Sequence, residues 1–326
     1  PHIKHASNQH EDFTMAPKLG YLLPTRERIM EGRPEVAPML AAAEKAEDLG
    51  YDSIWVGDSV LARPRHEPIS LLAGVAARTK TVELGTALLL PALRNPVMLA
   101  HQVSTVDQIS EGRLILGVGI ATDVPNIRAE FAAASVPFEK RVGRMLEGLR
   151  LCRALWTGEP VDWDGRWPIS GGVLAPTPSR PGGPPVWMGG SVEAAMKRAG
   201  REFDGWFPST PTAEGWSADF SKVQGFAKDA GRNPADVAGA CYVTVTLDEN
   251  EARAVERIDN FFQQYYNRPP EVMKRRSALY AGSAAGAAEW LAGYADAGVE
   301  HFVLRFAGDG EKQLEQFAKI RSTLGW

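Results

Sequence analysis

The residues best suited to chemistry sit where apolar runs give way to small residues. Trp187-Met188-Gly189-Gly190-Ser191 carries an apolar run into two glycines and then a helical stretch. Glycines let backbone N–H groups approach an anion, and a helix N-terminus adds a favourable dipole. The turn reads either as a phosphate cradle or as a tight turn with Ser191 as helix N-cap. Further on, Trp206-Phe207-Pro208-Ser209 offers Ser209 as a second phosphate ligand. Asp58, in Gly57-Asp58-Ser59, reads as a hydrogen-bond partner for a ring or substrate, or as a plain turn carboxylate. His66 is an acid or base if its loop reaches a pocket, and a surface residue otherwise. Trp55 and Trp206 lie in strands, where a tryptophan either walls a cofactor or packs the core.

Little else at these positions reacts unaided. A Schiff-base lysine must sit at a strand's C-terminal end, yet Lys18 and Lys80 come at or before strand starts. A metal hydrolase needs several His, Asp or Glu side chains converging on one rim. Asp58 and Asp123 qualify, but His301 begins the last strand and faces the opposite end, and His66 and His101 fall on loop or helix. Cys152 and Cys241 have no metal-ligand spacing and read as buried thiols. A scarcity of reactive groups points to a borrowed cofactor.

These residues hang on a repeating pattern. Strands are predicted at 18–23, 52–56, 82–90, 113–119, 185–188, 203–207, 239–246 and 300–306. Helices are predicted at 35–49, 67–78, 96–110, 139–156, 191–200, 213–230, 283–297 and 309–324. A further helical region at 249–266 breaks at Pro269-Pro270 and resumes through Tyr280. Short buried strands alternating with helices predict parallel βαβ units. Eight of them predict an α/β fold, a single (β/α)8 barrel whose functional loops follow the strands. A hairpin at 161–169, turning at Asp164-Gly165, and a Gly- and Pro-rich loop at 171–185 interrupt the alternation. Insertions after the fourth strand and between the seventh and eighth are the expected substrate walls.

The totals agree with one such domain. The 326 residues are 44% hydrophobic and 23% charged, with a net charge of −4. That balance gives no reason to expect nucleic acid or an anionic membrane as partner. No apolar run reaches the roughly 20 residues a membrane span needs. Residues 1–14 carry His2, His5 and His10 but no apolar signal core; they read as a leader before a start at Met15, with the domain at 15–326. The expected compartment is the cytoplasm. The Ala-rich helix at 41–46 and the small-residue helix at 72–77 permit close packing between two copies.

Five segments together resemble the bacterial luciferase-like family of flavin-dependent oxidoreductases. They are LGYDSIWVGDS at 49–59, the stretch ELGT to GRLILGVG at 83–119, LCRALWTGE at 151–159, PPVWMGGS at 184–191 and GVEHFVLRF at 298–306. The resemblance runs from about residue 18 to 324 and implies a TIM barrel. It implies reduced FMN for oxygen insertion, or the deazaflavin F420 for hydride transfer. It also implies that Gly189, Gly190 and Ser191 receive the cofactor phosphate, with Trp206 and Ser209 beside them. Ala87-Leu88 would form a non-proline cis peptide pressing on the ring, and Gly119 to Thr122 would line the same pocket. Such proteins usually form homodimers through the early part of the barrel.

The chain departs from parts of that pattern. Sugar-phosphate dehydrogenases of the family carry a His after the strand-two Asp and a Glu after the strand-four glycines. Ser59 and about Thr122 stand there instead. The acid/base pair for alcohol oxidation is missing, and His66 is displaced from the place of luciferase's own His. Asp58 and His66 remain as the catalytic candidates. The leading expectation is a two-component monooxygenase acting on a small organic substrate, with reduced FMN delivered by a separate reductase. No GxGxxG dinucleotide motif is present, in keeping with a chain that does not hold NAD(P)H itself. The alternative is an F420-dependent reductase or dehydrogenase, whose longer anionic tail would favour rim cations such as Arg63, Arg65, Arg94 and Arg128. A third reading, from another class, is a non-catalytic flavin-binding barrel.

Overall fold

Eight short apolar segments pair edge to edge and close on themselves. The computed structural model describes residues 16–326, so the leader and its three histidines lie outside the described residues. The strands are β1 Lys18–Leu22, β2 Ser53–Val56, β3 Glu83–Thr86, β4 Leu114–Val118, β5 Val161–Trp163, β6 Ile169–Gly172, β7 Val186–Gly189, β8 Gly205–Phe207, β9 Ala238–Leu247, β10 Ala278–Gly282 and β11 His301–Phe306. The barrel runs β1-β2-β3-β4-β7-β8-β9-β11 and returns to β1, every pair parallel. This is the (β/α)8 barrel the alternation predicts.

Its interior is filled by a few large rings set against glycines. Trp55, Trp187 and Phe207 meet Leu22, Ile115, Ala240 and Val303 inside the barrel. A Cβ on Gly20 would lie 2.6 Å from Trp55 Nε1, and one on Gly205 would lie 2.5 Å from Trp187 Cδ1. Both indoles therefore fit only because the neighbouring strands carry no side chain there. Below them, His301 presents its ring to the edges of Trp55 and Trp187, at 5.5 and 5.3 Å between centroids. Ser53 Oγ accepts from Trp55 Nε1 at 2.7 Å, leaving its own proton to donate to His301 Nε2, also at 2.7 Å. Burial, with Lys18 adding to it, lowers the His301 pKa to about 3.

Three elements differ from the sequence reading. The third strand does not run through residue 90 but ends at Thr86; Ala87 N–H still donates to the Val56 carbonyl at 2.7 Å, and the Ala87–Leu88 peptide that follows is cis. Leu89 rejoins it only as an isolated bridge to Val118. The hairpin's second strand extends to Gly172, pairing Val161 with Gly172 and Trp163 with Ile169. The helix expected to resume through Tyr280 stops at Lys274, and residues 278–282 form β10 instead. The reason is non-local. The three-residue β8 pairs only Ala238 and Gly239 of β9, and β10 takes up the upper edge, Val243–Leu247. An unpaired strand edge next to a barrel mouth is costly, so pairing overrides the helical preference of Ala-Leu-Tyr-Ala.

His301 gives the fold a pH signature. Its folded pKa lies below the unfolded value, so its contribution is complete above about pH 6.5 and is lost as pH falls toward 3. One proton of linkage over that window is worth roughly 4 kcal/mol by about pH 3.5. In His301→Gln the amide keeps an acceptor for Ser53 but does not titrate. Its urea midpoint should fall less steeply than wild type between about pH 6.5 and 4. Parallel curves would show that this histidine does not titrate against folding.

Candidate active site

Glycines also shape the mouth above the core. Gly57, Gly117, Gly119 and Gly189 surround the cis peptide at the end of β3, and each of their absent side chains would meet a neighbour there. A Cβ on Gly119 would sit 3.1 Å from Leu88 Cδ1, and one on Gly189 would overlap the Leu88 side chain. Leu88 and Ala87 pack on the inner aromatic cluster, so Leu88 floors the mouth. Gly119 is buried and its N–H donates to the Leu89 carbonyl at 2.9 Å, whereas Thr122 is exposed, beyond Ala121 with its φ of +63°.

At the end of β7 the chain turns through Gly190, exposed and at φ +110°, where a side chain would be strained. The next helix is Glu193–Glu202, and its N-cap is Val192, with no side-chain hydrogen bond. Ser191 therefore does not cap it, contrary to the N-cap reading. Ala195 N–H donates to the Val192 carbonyl at 2.8 Å, while the N–H groups of Glu193 and Ala194 meet no side-chain acceptor among the described residues. Trp206 does not line the mouth as expected of a cofactor contact. Its indole is fully buried between β8 and the helix Ala213–Asp229, against Trp216 and Phe220, because Phe207 rather than Trp206 is the inward residue of β8. Its Nε1 donates to the Gly190 carbonyl at 2.9 Å and so holds the turn from behind. Ser209 Oγ accepts the Ala278 N–H at 3.0 Å, tying β8 to β10 while its own proton stays available.

The two catalytic candidates are engaged elsewhere. Asp58 is buried, and its Oδ2 accepts from Leu90 N at 2.8 Å and Arg94 Nη1 at 2.5 Å, while Oδ1 accepts from Arg94 Nη2 at 3.1 Å. Burial works against the Arg94 charge, but Asp58 and Glu67 outweigh it and raise its pKa. Asp58 thus pins the chain leaving the cis peptide. His66 turns away: Nε2 hydrogen-bonds the Pro34 carbonyl at 2.7 Å, on the loop before the helix Ala37–Asp48. Sequence reasoning passed over Glu130, buried on the helix Pro125–Ala133. Its carboxylate accepts from Ser59 Oγ at 2.9 Å, Val60 N at 2.6 Å and Ala62 N at 3.0 Å, stapling the insertion after β4 to the loop after β2. The available signal was a Glu on the same helical face as Ile127 and Phe131.

Of the four arginines expected at the rim, Arg94 pairs with Asp58, and Arg128 with Asp123 and Glu139. Arg63 and Arg65 have no carboxylate partner among the described residues and lie over Tyr266 and Tyr265. A cavity of about 1230 Å³ lies not at the glycine turn but on this far side, between the helices Ala37–Asp48 and Glu251–Tyr266. It opens onto Arg305, Glu27 and Tyr265. No group of three or more His, Cys, Asp or Glu side chains is placed to hold a metal among the described residues. Both thiols are buried, which pushes their pKa up to about 12 and leaves them unreactive.

The mouth is thus lined by glycines, and Asp58 and His66 are both engaged in other contacts. The chain belongs to the luciferase-like monooxygenase family, whose sequence profile matches residues 17–325. It is similar to an F420-dependent glucose-6-phosphate dehydrogenase of Amycolatopsis mediterranei, 28% identical over 306 residues, covering 85% of this chain and 91% of that one. It is also similar to a 5,10-methylenetetrahydromethanopterin reductase of Methanolobus tindarius, 29% identical over 212 residues. That match covers 65% of this chain and only 62% of the reductase, short of two thirds of its length. In fold it resembles an F420-dependent secondary alcohol dehydrogenase solved with an F420-acetone adduct, with a TM-score of 0.81 at 20% identity over 95% of this chain and 99% of that one.

Asp58→Asn tests the pin. It leaves the buried Arg94 guanidinium with only Glu67 as counter-charge, and breaking one partner of such a pair costs about 3 kcal/mol. A urea midpoint within error of wild type would show that the pair does not hold the loop.

Proposed function

We propose that the chain is an F420-dependent oxidoreductase that moves a hydride between the deazaflavin and a small organic substrate. The observation that carries this reading is the helix end behind Gly190, whose N-cap Val192 makes no side-chain cap and leaves room for a phosphate there. Its partners in the reading are the Ser191 hydroxyl and the Ser209 proton. The choice of F420 is supported by relatives that use it by name. Bound there, a reduced deazaflavin supplies a two-electron hydride without oxygen.

The chain's own residues then position and exclude. Leu88 presents an apolar floor, with Trp55, Trp187 and Phe207 beneath it. Trp206 fixes the Gly190 peptide, and the Asp58–Arg94 and Glu130 staples hold the loops that close the mouth's near side. With Ser59 and Thr122 in place of an acid/base pair, the site suits hydride transfer to an acceptor whose product takes its proton from solvent better than interconversion of an alcohol and a carbonyl. The second reading, oxygen insertion through reduced FMN supplied by a separate reductase, is favoured by the family's monooxygenase description. The same cradle would serve it.

Equilibrium titration separates the two. F420, followed by its fluorescence, should bind at least tenfold tighter than FMN or anaerobically reduced FMN, about 1.4 kcal/mol. Equal or reversed affinities would return the monooxygenase reading to first place. Gly190→Val should weaken whichever cofactor binds by at least tenfold with the circular dichroism spectrum unchanged. An unaltered affinity would make the turn merely structural.

A further inference from the structure

We propose that the arginine wall of the barrel mouth binds the anionic group, a carboxylate or phosphate, of the organic substrate. The proposal rests on the mouth being the cofactor-bearing site, and it names the substrate class that site takes.

Arg305 is the central residue. In β11 the inward positions alternate, so above His301 and Val303 the next side chain into the barrel is Arg305. It is only 2% exposed. Its guanidinium donates to Thr244 Oγ1 and Tyr266 Oη, both at 2.8 Å, and its buried Nε has no partner. Rings of Tyr242, Phe261, Tyr265 and Tyr266 surround it at 4.7 to 5.3 Å. Three more guanidinium groups converge on the same two lid tyrosines. Arg26 lies 4.9 Å and Arg65 6.0 Å from the Tyr265 ring, and Arg63 lies 5.0 Å from that of Tyr266. Arg26 Nε and Nη1 are likewise buried without a partner.

Four cations meet here with no ion pair to a carboxylate among the described residues. The nearby acid is Glu27, whose own pKa is raised by burial even against the pull of Arg305. Aromatic faces offset part of the cost of burying a guanidinium, but a buried charge with unmet donors remains expensive. Planar guanidinium forks match carboxylate and phosphate oxygens, and the aromatic walls suit an apolar body attached to that anion. The wall is built from the ends of β9, β11, β1 and β2, across the barrel from the cradle at the end of β7. The two anion-seeking features thus face the mouth from opposite sides.

The probes are benzoate and inorganic phosphate, titrated calorimetrically into the full chain without cofactor. At least one should bind the wild type at a single site, and Arg305→Met and Arg26→Gln should each weaken it at least tenfold. F420 affinity in both variants should change less than twofold. Absence of any anion binding by the wild type, or unchanged binding in the variants, would overturn the proposal. So would variants that lose F420 but keep a tail-less deazaflavin, because the wall would then hold the cofactor's tail. If Arg305→Met does not fold, Arg26→Gln, at a half-buried position of the short helix Thr25–Met30, decides alone. Failure of the wild type to bind F420 or FMN would count against the cofactor reading and leave the anion titration to be judged separately.

Discussion

Two indoles and a phenyl ring, packed with Leu22, Ile115, Ala240 and Val303, fill the middle of an eight-stranded barrel. That volume constraint governs the rest of the molecule. Trp55 and Trp187 are admitted by Gly20, Gly85 and Gly205 on the strands paired beside them, and Phe207 closes the layer. With the interior solid, nothing can bind below the mouth. Chemistry is confined to the rim, and the rim near β3, β4 and β7 is made mostly of glycine and backbone.

A rim of that kind must be held by its neighbours. Its polar side chains are spent on loops: Asp58 on Arg94 and the Leu90 N–H, Glu130 on three donors of the loop after β2, Trp206 on the Gly190 carbonyl. Groups committed to such contacts are poorly placed to move protons in a reaction. What remains uncommitted is backbone N–H behind Gly190 and, across the mouth, a set of guanidinium groups without carboxylates. The first suits a cofactor phosphate. The second suits a substrate that brings its own negative charge.

Much of this was legible in the sequence where the signal is local. Short apolar runs mark the eight barrel strands; those of β2, β4 and β7 run into glycine, and the Gly189-Gly190 turn ends the last of these. Other features depend on distant partners. Ala-Leu-Tyr-Ala reads as helix until the bare upper edge of β9 claims it as β10. Asp58 is ambiguous until Arg94 arrives from 36 positions away. Ser191 is a good cap by type, but the helix begins two residues later. Trp206 and Phe207 are adjacent, and a three-residue strand gives too little alternation to say which one faces inward. Arg305 ends an apolar strand, and only the register with β9 shows that it points into the mouth.

The central claim is that the mouth over Leu88 holds the cofactor, with its phosphate on the turn after β7. A crystal structure of the F420 complex tests it most directly. The account predicts the cofactor phosphate within hydrogen-bond distance of the N–H groups at Gly190 to Glu193, and the ring over Leu88. A cofactor found instead in the large cavity between the helices Ala37–Asp48 and Glu251–Tyr266, with the glycine turn empty, would contradict it.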